Sequence, residues 1–215
     1  SLSLTMTHIY AELYSLAFGM FRETIPFTEN KQTEVQTKLE EARKYLLEEE
    51  KYIEQKTFDD YIQLVDSIST IYSPEYKNMK HNALLDYIID CGKKQLCLIV
   101  PNNTDIEPVQ NYWDDVCIQL DLKVEITVMR PSDYLALEIP LFDTVLISGW
   151  LNRNQMQRLL FSNKSEHFIV FLYRYEQRWK NSSLYVWKKS IAKSDNRSIV
   201  KSAMKFRDDV PIETY

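Results

Sequence analysis

Glycine is nearly missing from this chain. Among 215 residues there are three, Gly19, Gly92 and Gly149, each isolated from the others. A G-x-x-x-x-G-K-[ST] phosphate loop and a G-x-G-x-x-G turn both need clustered glycines, which let successive backbone N–H groups approach a phosphate, so neither motif exists here. Any nucleotide site must be supplied by another segment or another chain, and the chain alone is expected to hold no cofactor. Cysteine is equally scarce. Cys91, Cys97 and Cys117 are odd in number and lack the close pairing that zinc requires, so they read as buried thiols in a reducing, cytoplasmic setting. His8, His81 and His167 are too scattered for a metal site. No apolar run approaches the ~20 residues of a membrane span. The start also lacks the charged segment and apolar run of a secretory signal, so no membrane partner is expected. No nucleophile elbow is present either, because Ser148-Gly149 lacks the G-x-S-x-G frame.

Charge is present in quantity but unevenly spread. Residues 1–90 carry 9 basic and 16 acidic side chains, residues 91–149 carry 4 and 9, and residues 150–215 carry 13 and 6. A net charge of +7 on the last third of a protein whose overall charge is −5 points to an anionic partner, DNA or RNA, for region 150–215. The alternative is that these lysines and arginines only solvate the outer faces of C-terminal helices. The chain begins without methionine and enters helical pattern at once, which fits a piece of a longer protein with further domains.

Helical periodicity dominates the first ninety residues. Ile9, Leu13, Leu16 and Met20 form one stripe, Val35, Leu39, Ala42 and Leu46 a second, and Phe58, Ile62, Val65 and Ile68 a third. The Glu48-Glu49-Glu50 run reads as a solvated helix face. Ser73-Pro74-Glu75 has the form of an N-cap, a first-turn proline and a first-turn acid, opening a helix that runs to Gly92. The expected division is therefore a helical arm over 1–92, an α/β domain over 93–195 and a weakly patterned tail over 196–215.

At Gln95 the period changes. Leu96-Cys97-Leu98-Ile99-Val100 is a continuous apolar run, as expected of a central parallel strand covered on both faces. Val124, Ile126 and Val128 alternate with polar neighbours, while Val145-Leu146-Ile147 and the run from Phe168 to Tyr173 are again continuous. Helical patterns lie between them, from Asn103 or Thr104 to Leu120, briefly from Pro131, over 153–162, and from about 175 to 192. Strands alternating with helices of this length predict βαβ units: an α/β fold with a parallel sheet of about four strands, Rossmann-like in three layers, preceded by an all-helical region. Ligands of such sheets bind where a strand gives way to a helix. The junction from Phe142 through Gly149 to Leu160 is the best developed, with Trp150-Leu151-Asn152 as its turn and Arg153, Gln155 and Arg158 on its helix.

The order of these elements is similar to the second RecA-like domain of superfamily 2 helicases and Swi/Snf-type translocases, members of the P-loop NTPase fold. Lys80 with Ala83-Leu84-Leu85, followed by Leu98-Ile99-Val100, resembles the entry into that domain. Phe142 to Ile147 resembles the strand leading into the fifth helicase motif, and Trp150-Leu151-Asn152, Gln155 and Arg158 a worn form of the turn and the glutamine-to-arginine stretch behind it. His167 to Tyr173 matches the strand after the sixth motif. The likeness covers about residues 78–180. No proline follows Asn152, and the paired arginines of the sixth motif reduce to Arg158 and Arg153. A degenerate helicase half of this kind resembles those of bacterial phage-defence proteins such as the DISARM component DrmE.

The resemblance implies a module of a larger nucleic-acid-dependent ATPase or antiviral defence protein, inactive alone, with ATP and Mg belonging to the full-length parent. Arg158 and Arg153 would then stand where an arginine finger reaches a γ-phosphate across the cleft. Trp150, Asn152, Gln155, Arg178, Trp179, Lys188 and Lys189 are the nucleic-acid-binding candidates, since aromatics among cations stack bases while the cations neutralise phosphates. Aromatics on a terminal helix more often pack against the sheet, which is the alternative reading of Trp179, Tyr185 and Trp187. Asp143 and Glu176 offer a nuclease carboxylate pair, though the lysine such a site needs beside Glu176 is missing. The reading of a different class is a non-enzymatic α/β interaction domain with a helical arm that mediates protein assembly.

Overall fold

The computed structural model describes residues 4–20, 22–73, 75–76, 78–138, 142–162, 164–165 and 167–192. The chain forms two compact units that meet in sequence at Asn78 and Met79. The first unit is helical, with α1 (Leu4–Met20), α2 (Glu29–Glu49), a 3-10 turn (Glu50–Tyr52) and α3 (Gln55–Ile71). The stripes read from the sequence meet in one core, where Ile9, Leu13 and Leu16 pack with Val35, Leu39, Ala42 and Leu46 and with Phe58, Val65 and Ile68. Thr28 caps α2 by accepting the Lys31 N–H at 3.2 Å, satisfying one of the amides that the first turn leaves open. Gln36 and Ser69 join α2 to α3 reciprocally: the Gln36 amide donates to the Ser69 carbonyl at 3.1 Å, and the Ser69 hydroxyl donates to Gln36 Oε1 at 2.8 Å. Tyr72 stacks on Phe27 at 4.4 Å and donates its hydroxyl to the Leu16 carbonyl at 3.1 Å. A Cβ on Gly19 would lie 3.3 Å from that hydroxyl, a close contact to which the tyrosine would have to yield by a few tenths of an ångström.

The second unit holds β1 (Gln95–Ile99), β2 (Glu125–Met129), β3 (Thr144–Ile147) and β4 (Phe168–Val170), all parallel, in the order β2-β1-β3-β4. Its helices are α4 (Met79–Asp90), α5 (Ile106–Gln119), α6 (Pro131–Ala136), α7 (Arg153–Leu160) and α8 (Glu176–Ala192). Successive strand residues face opposite sides. Cys97, Ile99, Val145, Ile147, Phe168 and Val170 pack with Tyr134 of α6, Met156 and Leu159 of α7 and Trp187 of α8. Leu98, Leu146 and Phe171 point the other way and are fully buried, and Tyr87 of α4 meets Phe171 edge-on at 6.1 Å. This is the α/β architecture, with a helical region ahead of it, that the alternation of runs and stripes predicts.

Two polar devices finish the sheet. Gln110 of α5 donates to the Ile126 carbonyl at 2.7 Å and accepts the Val128 N–H at 2.8 Å, so one side chain occupies the outer backbone groups of edge strand β2. Asp143 accepts the Lys94 and Gln95 N–H groups at 3.0 and 3.1 Å, registering the amino ends of β1 and β3. Those hydrogen bonds hold its carboxyl below the usual range.

Two sequence expectations change. The helix expected to open at Ser73-Pro74-Glu75 starts at Met79, and the Tyr76 N–H instead closes a turn on the Ser73 carbonyl at 3.1 Å. The boundary expected at residue 92 lies at Asn78, because α4 packs on the sheet through its buried Ala83, Leu84 and Ile88. The tail over 196–215 lies outside the described residues. Among the described residues no helix is long and apolar enough to cross a membrane.

Glu23 generates a pH-dependent prediction for the helical unit. Burial raises its carboxyl pKa from 4.5 to about 6, against the opposing pull of the Lys31 charge and a backbone hydrogen bond at Thr24. Because the folded state holds this proton more tightly than the unfolded chain, stability falls as pH rises through the window from 4.5 to about 6 and stays lower above it. Glu23→Gln is therefore expected to stabilise the protein by about 1–2 kcal/mol at pH 7.5 and to have almost no effect at pH 4, as urea unfolding at the two pH values will report.

Candidate functional site

The junction singled out in the sequence forms as a strand, a turn and a capped helix. β3 ends at Ile147, the chain turns through Ser148 to Leu151, and Asn152 caps α7. Its Oδ1 accepts the Gln155 N–H at 3.0 Å while its Nδ2 donates to Gln155 Oε1 at 2.6 Å, so these two candidates bind each other and fix the helix start. Met156, Leu159 and Leu160 are buried against the sheet, leaving Arg153 and Arg158 exposed. A helix returning between two parallel strands runs opposite to them. Arg153, its first residue, therefore stands at the carboxyl edge, whereas Arg158 lies about 7 Å further along the axis towards the amino edge. Of the two arginines offered as a finger, Arg153 is thus the nearer to the carboxyl ends of the strands, where ligands of such sheets bind.

Trp150 does not face solvent. It is 5% exposed, its indole N–H donates to Ser183 Oγ at 3.2 Å, and its ring lies 6.0 Å from that of Trp187. Trp187, also buried, meets Phe161 edge-on at 5.7 Å. Both tryptophans are core, which corrects the assignment of Trp150 to nucleic-acid binding: neither ring face is open to a base. On α8 the other candidates point outward, with Arg178, Lys188 and Lys189 exposed and Trp179 37% exposed against the edge of Tyr175.

The densest chemistry at the carboxyl edge is a buried ion pair that the sequence did not assemble. Lys80 Nζ lies 2.7 Å from Glu176 Oε2, with both side chains almost wholly buried. The ammonium also donates to the Ser148 carbonyl at 2.7 Å and sits 4.8 Å from the centre of the Tyr173 ring. Glu176 Oε2 accepts the Tyr173 N–H at 2.8 Å, and Oε1 accepts the Trp150 N–H at 3.0 Å. One carboxylate thus fastens the turn after β3 to the turn after β4, and one lysine ties both to the first turn of α4. The nuclease pairing fails on position, because Asp143 marks the amino end of β3 while Glu176 sits beyond the carboxyl end of β4. Lys80 had a sequence signal, a lone cation on the apolar side of a helix; its partner had none, since an acid opening a helix is ordinary.

The histidines and cysteines have local explanations. His81 Nε2 is 2.6 Å from the Tyr112 hydroxyl, its Nδ1 is 3.2 Å from Asn82 Oδ1, and its ring stacks on Trp113 at 5.6 Å. Burial lowers its pKa. Cys97 is fully buried, and burial pushes its thiol pKa far up. Among the described residues no three His, Cys, Asp or Glu side chains gather as metal ligands.

Breaking the ion pair from one side leaves a buried charge unpaired, so Lys80→Met is expected to cost about 3–5 kcal/mol in urea unfolding. Adding Glu176→Gln should recover more than about 1 kcal/mol of that loss, because the amide oxygen still accepts a backbone N–H while the stranded charge is gone. Additive costs would show that the pair is not coupled.

Comparisons with known protein families, characterised proteins and solved structures give no match to this chain.

Proposed function

We propose that the chain is a helicase-like C-terminal module of a larger nucleic-acid-dependent ATPase or defence protein, which binds nucleic acid through the outer surface of α7 and α8 and completes an ATP site in trans. One observation carries this reading. Arg153, Arg158, Arg174, Arg178, Lys188 and Lys189 are all exposed, whereas the one acid described between residues 144 and 192, Glu176, is internal and neutralised by Lys80. The outside of these two helices is therefore cationic without interruption among the described residues, which suits a polyphosphate backbone. The parallel sheet is consistent with a RecA-like domain. The scarcity of glycine supports a module that meets a nucleotide held elsewhere and contributes an arginine from the carboxyl edge.

A second reading, an assembly domain with a helical arm, draws on α1. Tyr10 and Tyr14 are each about half exposed, and their rings stack at 6.0 Å. Such a domain would form a complex with a protein partner and none with nucleic acid.

Gel shifts at several salt concentrations separate the two. The expected result is a weak complex without sequence preference that dissociates steeply as salt rises. Charge reversal at Lys188 and Lys189 together should lower affinity and reduce the slope of log K against log salt by about two, since two phosphate contacts are lost. No complex even at low salt would end the nucleic-acid reading.

The ATP part is tested in the intact parent. The chain by itself should turn over no ATP. Because Arg153 and Arg158 are exposed, Arg153→Lys and Arg158→Lys should leave the thermal midpoint almost unchanged. Yet whichever residue acts as the finger should reduce parent ATPase by about 10³-fold, since a lysine cannot reproduce bidentate contact with the transferring phosphoryl group. The helix direction favours Arg153, and unaltered activity in both variants would remove the finger from this chain.

A further inference from the structure

Charge alone does not distinguish a single strand from a duplex, but the arrangement along α8 does. The helix buries Glu176, Ser183 and Trp187, which recur at intervals of seven and four residues and define its inner face. The opposite face carries Arg178, Ser182, Tyr185 and Lys189, spaced four, three and four residues apart and all exposed, so they form one straight ridge. Tyr185 is 68% exposed, and it stands between the two cations. Along the axis Arg178 lies about 10 Å on one side of Tyr185 and Lys189 about 6 Å on the other. Lys188 flanks the ridge on one side and Trp179 on the other.

We infer that this ridge binds single-stranded nucleic acid, with an unpaired base stacked on Tyr185 and flanking phosphates on Arg178 and Lys189. The inference rests on the nucleic-acid reading above and names its substrate class. An exposed tyrosine presents a flat aromatic face that any unpaired base can cover, whatever its identity. In a duplex the base faces are already stacked on each other, so the ring would gain nothing and the cations alone would act. The ridge is about 16 Å from end to end, a length that a few nucleotides of a single strand tracking the cations can cover. Tyr185 has no role in the core that would otherwise account for it, whereas Trp150 and Trp187, the aromatics with enclosed rings, point inward.

Fluorescence anisotropy on the full chain at low salt tests this, with a labelled oligothymidylate of about 16 nucleotides, an oligouridylate of equal length, and a blunt duplex of matched phosphate number. Both single strands should bind at least about fivefold tighter than the duplex, and Tyr185→Ala should remove that advantage while leaving duplex affinity unchanged. Tyr185→Phe should behave as wild type, because the ring is retained, and both variants should keep the wild-type thermal midpoint. Duplex affinity equal to or above that of the single strands, or an unchanged single-strand affinity in Tyr185→Ala, would overturn the stacking ridge while leaving a charge-driven nucleic-acid surface standing. Binding to none of the three probes would overturn both readings together.

Discussion

The buried contact between Lys80 and Glu176 is the constraint on which the carboxyl edge of the sheet depends. Removing an ammonium and a carboxylate from water costs several kcal/mol per ion, and their mutual attraction offsets this only when the remaining donors and acceptors are also engaged. Here they are. Glu176 accepts two backbone N–H groups besides the lysine, and Lys80 donates to a backbone carbonyl besides the glutamate. The two ions differ in what else supports them. Glu176 opens α8, where the partial positive charge of the helix amino end favours a carboxylate. Lys80 is in the first turn of α4, where the same dipole opposes an ammonium, and there it meets the Glu176 carboxylate, the Ser148 carbonyl and the face of Tyr173. The pair ties the first turn of α4 to the ends of β3 and β4.

Because that contact reaches the backbone of both turns, it also decides which side chains face outward. Glu176 holds the Trp150 amide, Trp150 then lies inside against Trp187 and Ser183, and the next residues outside are Asn152 and Arg153. With the one described acid of this region neutralised in the interior, no described acidic side chain balances the surface cations of α7 and α8. An internal requirement of the fold and the external charge of the protein are two sides of one arrangement.

What was legible in the sequence follows from the range of each signal. Leu96 to Val100 and Val145 to Ile147 read as central strands because burial on both faces demands an unbroken apolar run, which is visible within five residues. Val35, Leu39, Ala42 and Leu46 read as one helix face for the same local reason. The start of α4 was misread because Ser73-Pro74-Glu75 satisfies the local rules for a helix opening, yet what fixes the first turn is Lys80 reaching Ser148, 68 positions away. Trp150 was misread because a tryptophan beside a polar turn has the same local pattern whether its ring faces water or a second tryptophan. Arg153 and Arg158 read alike in the sequence, as cations on the outer side of one short helix, and only the direction of α7 relative to the strands separates them.

Internal contacts occupy much of the carboxyl edge of the sheet. Above β3 and β4 the edge is filled by the ion pair and its three backbone contacts, and the outer backbone groups of β2 are engaged by Gln110. In a parallel sheet of this order the winding reverses between β1 and β3, and the segments through Asn102, Asn103 and Thr104 and through Ser148 to Leu151 both leave the carboxyl edge there. Neither segment contains the consecutive glycines that would let its amides close around a phosphate. Arg130, beyond β2, donates to the Thr104 carbonyl at 3.3 Å, so its charge is partly committed to holding that loop. The interior of the edge is thus occupied by structure, and the side chains left for a ligand are those on its rim and on the outer faces of α7 and α8.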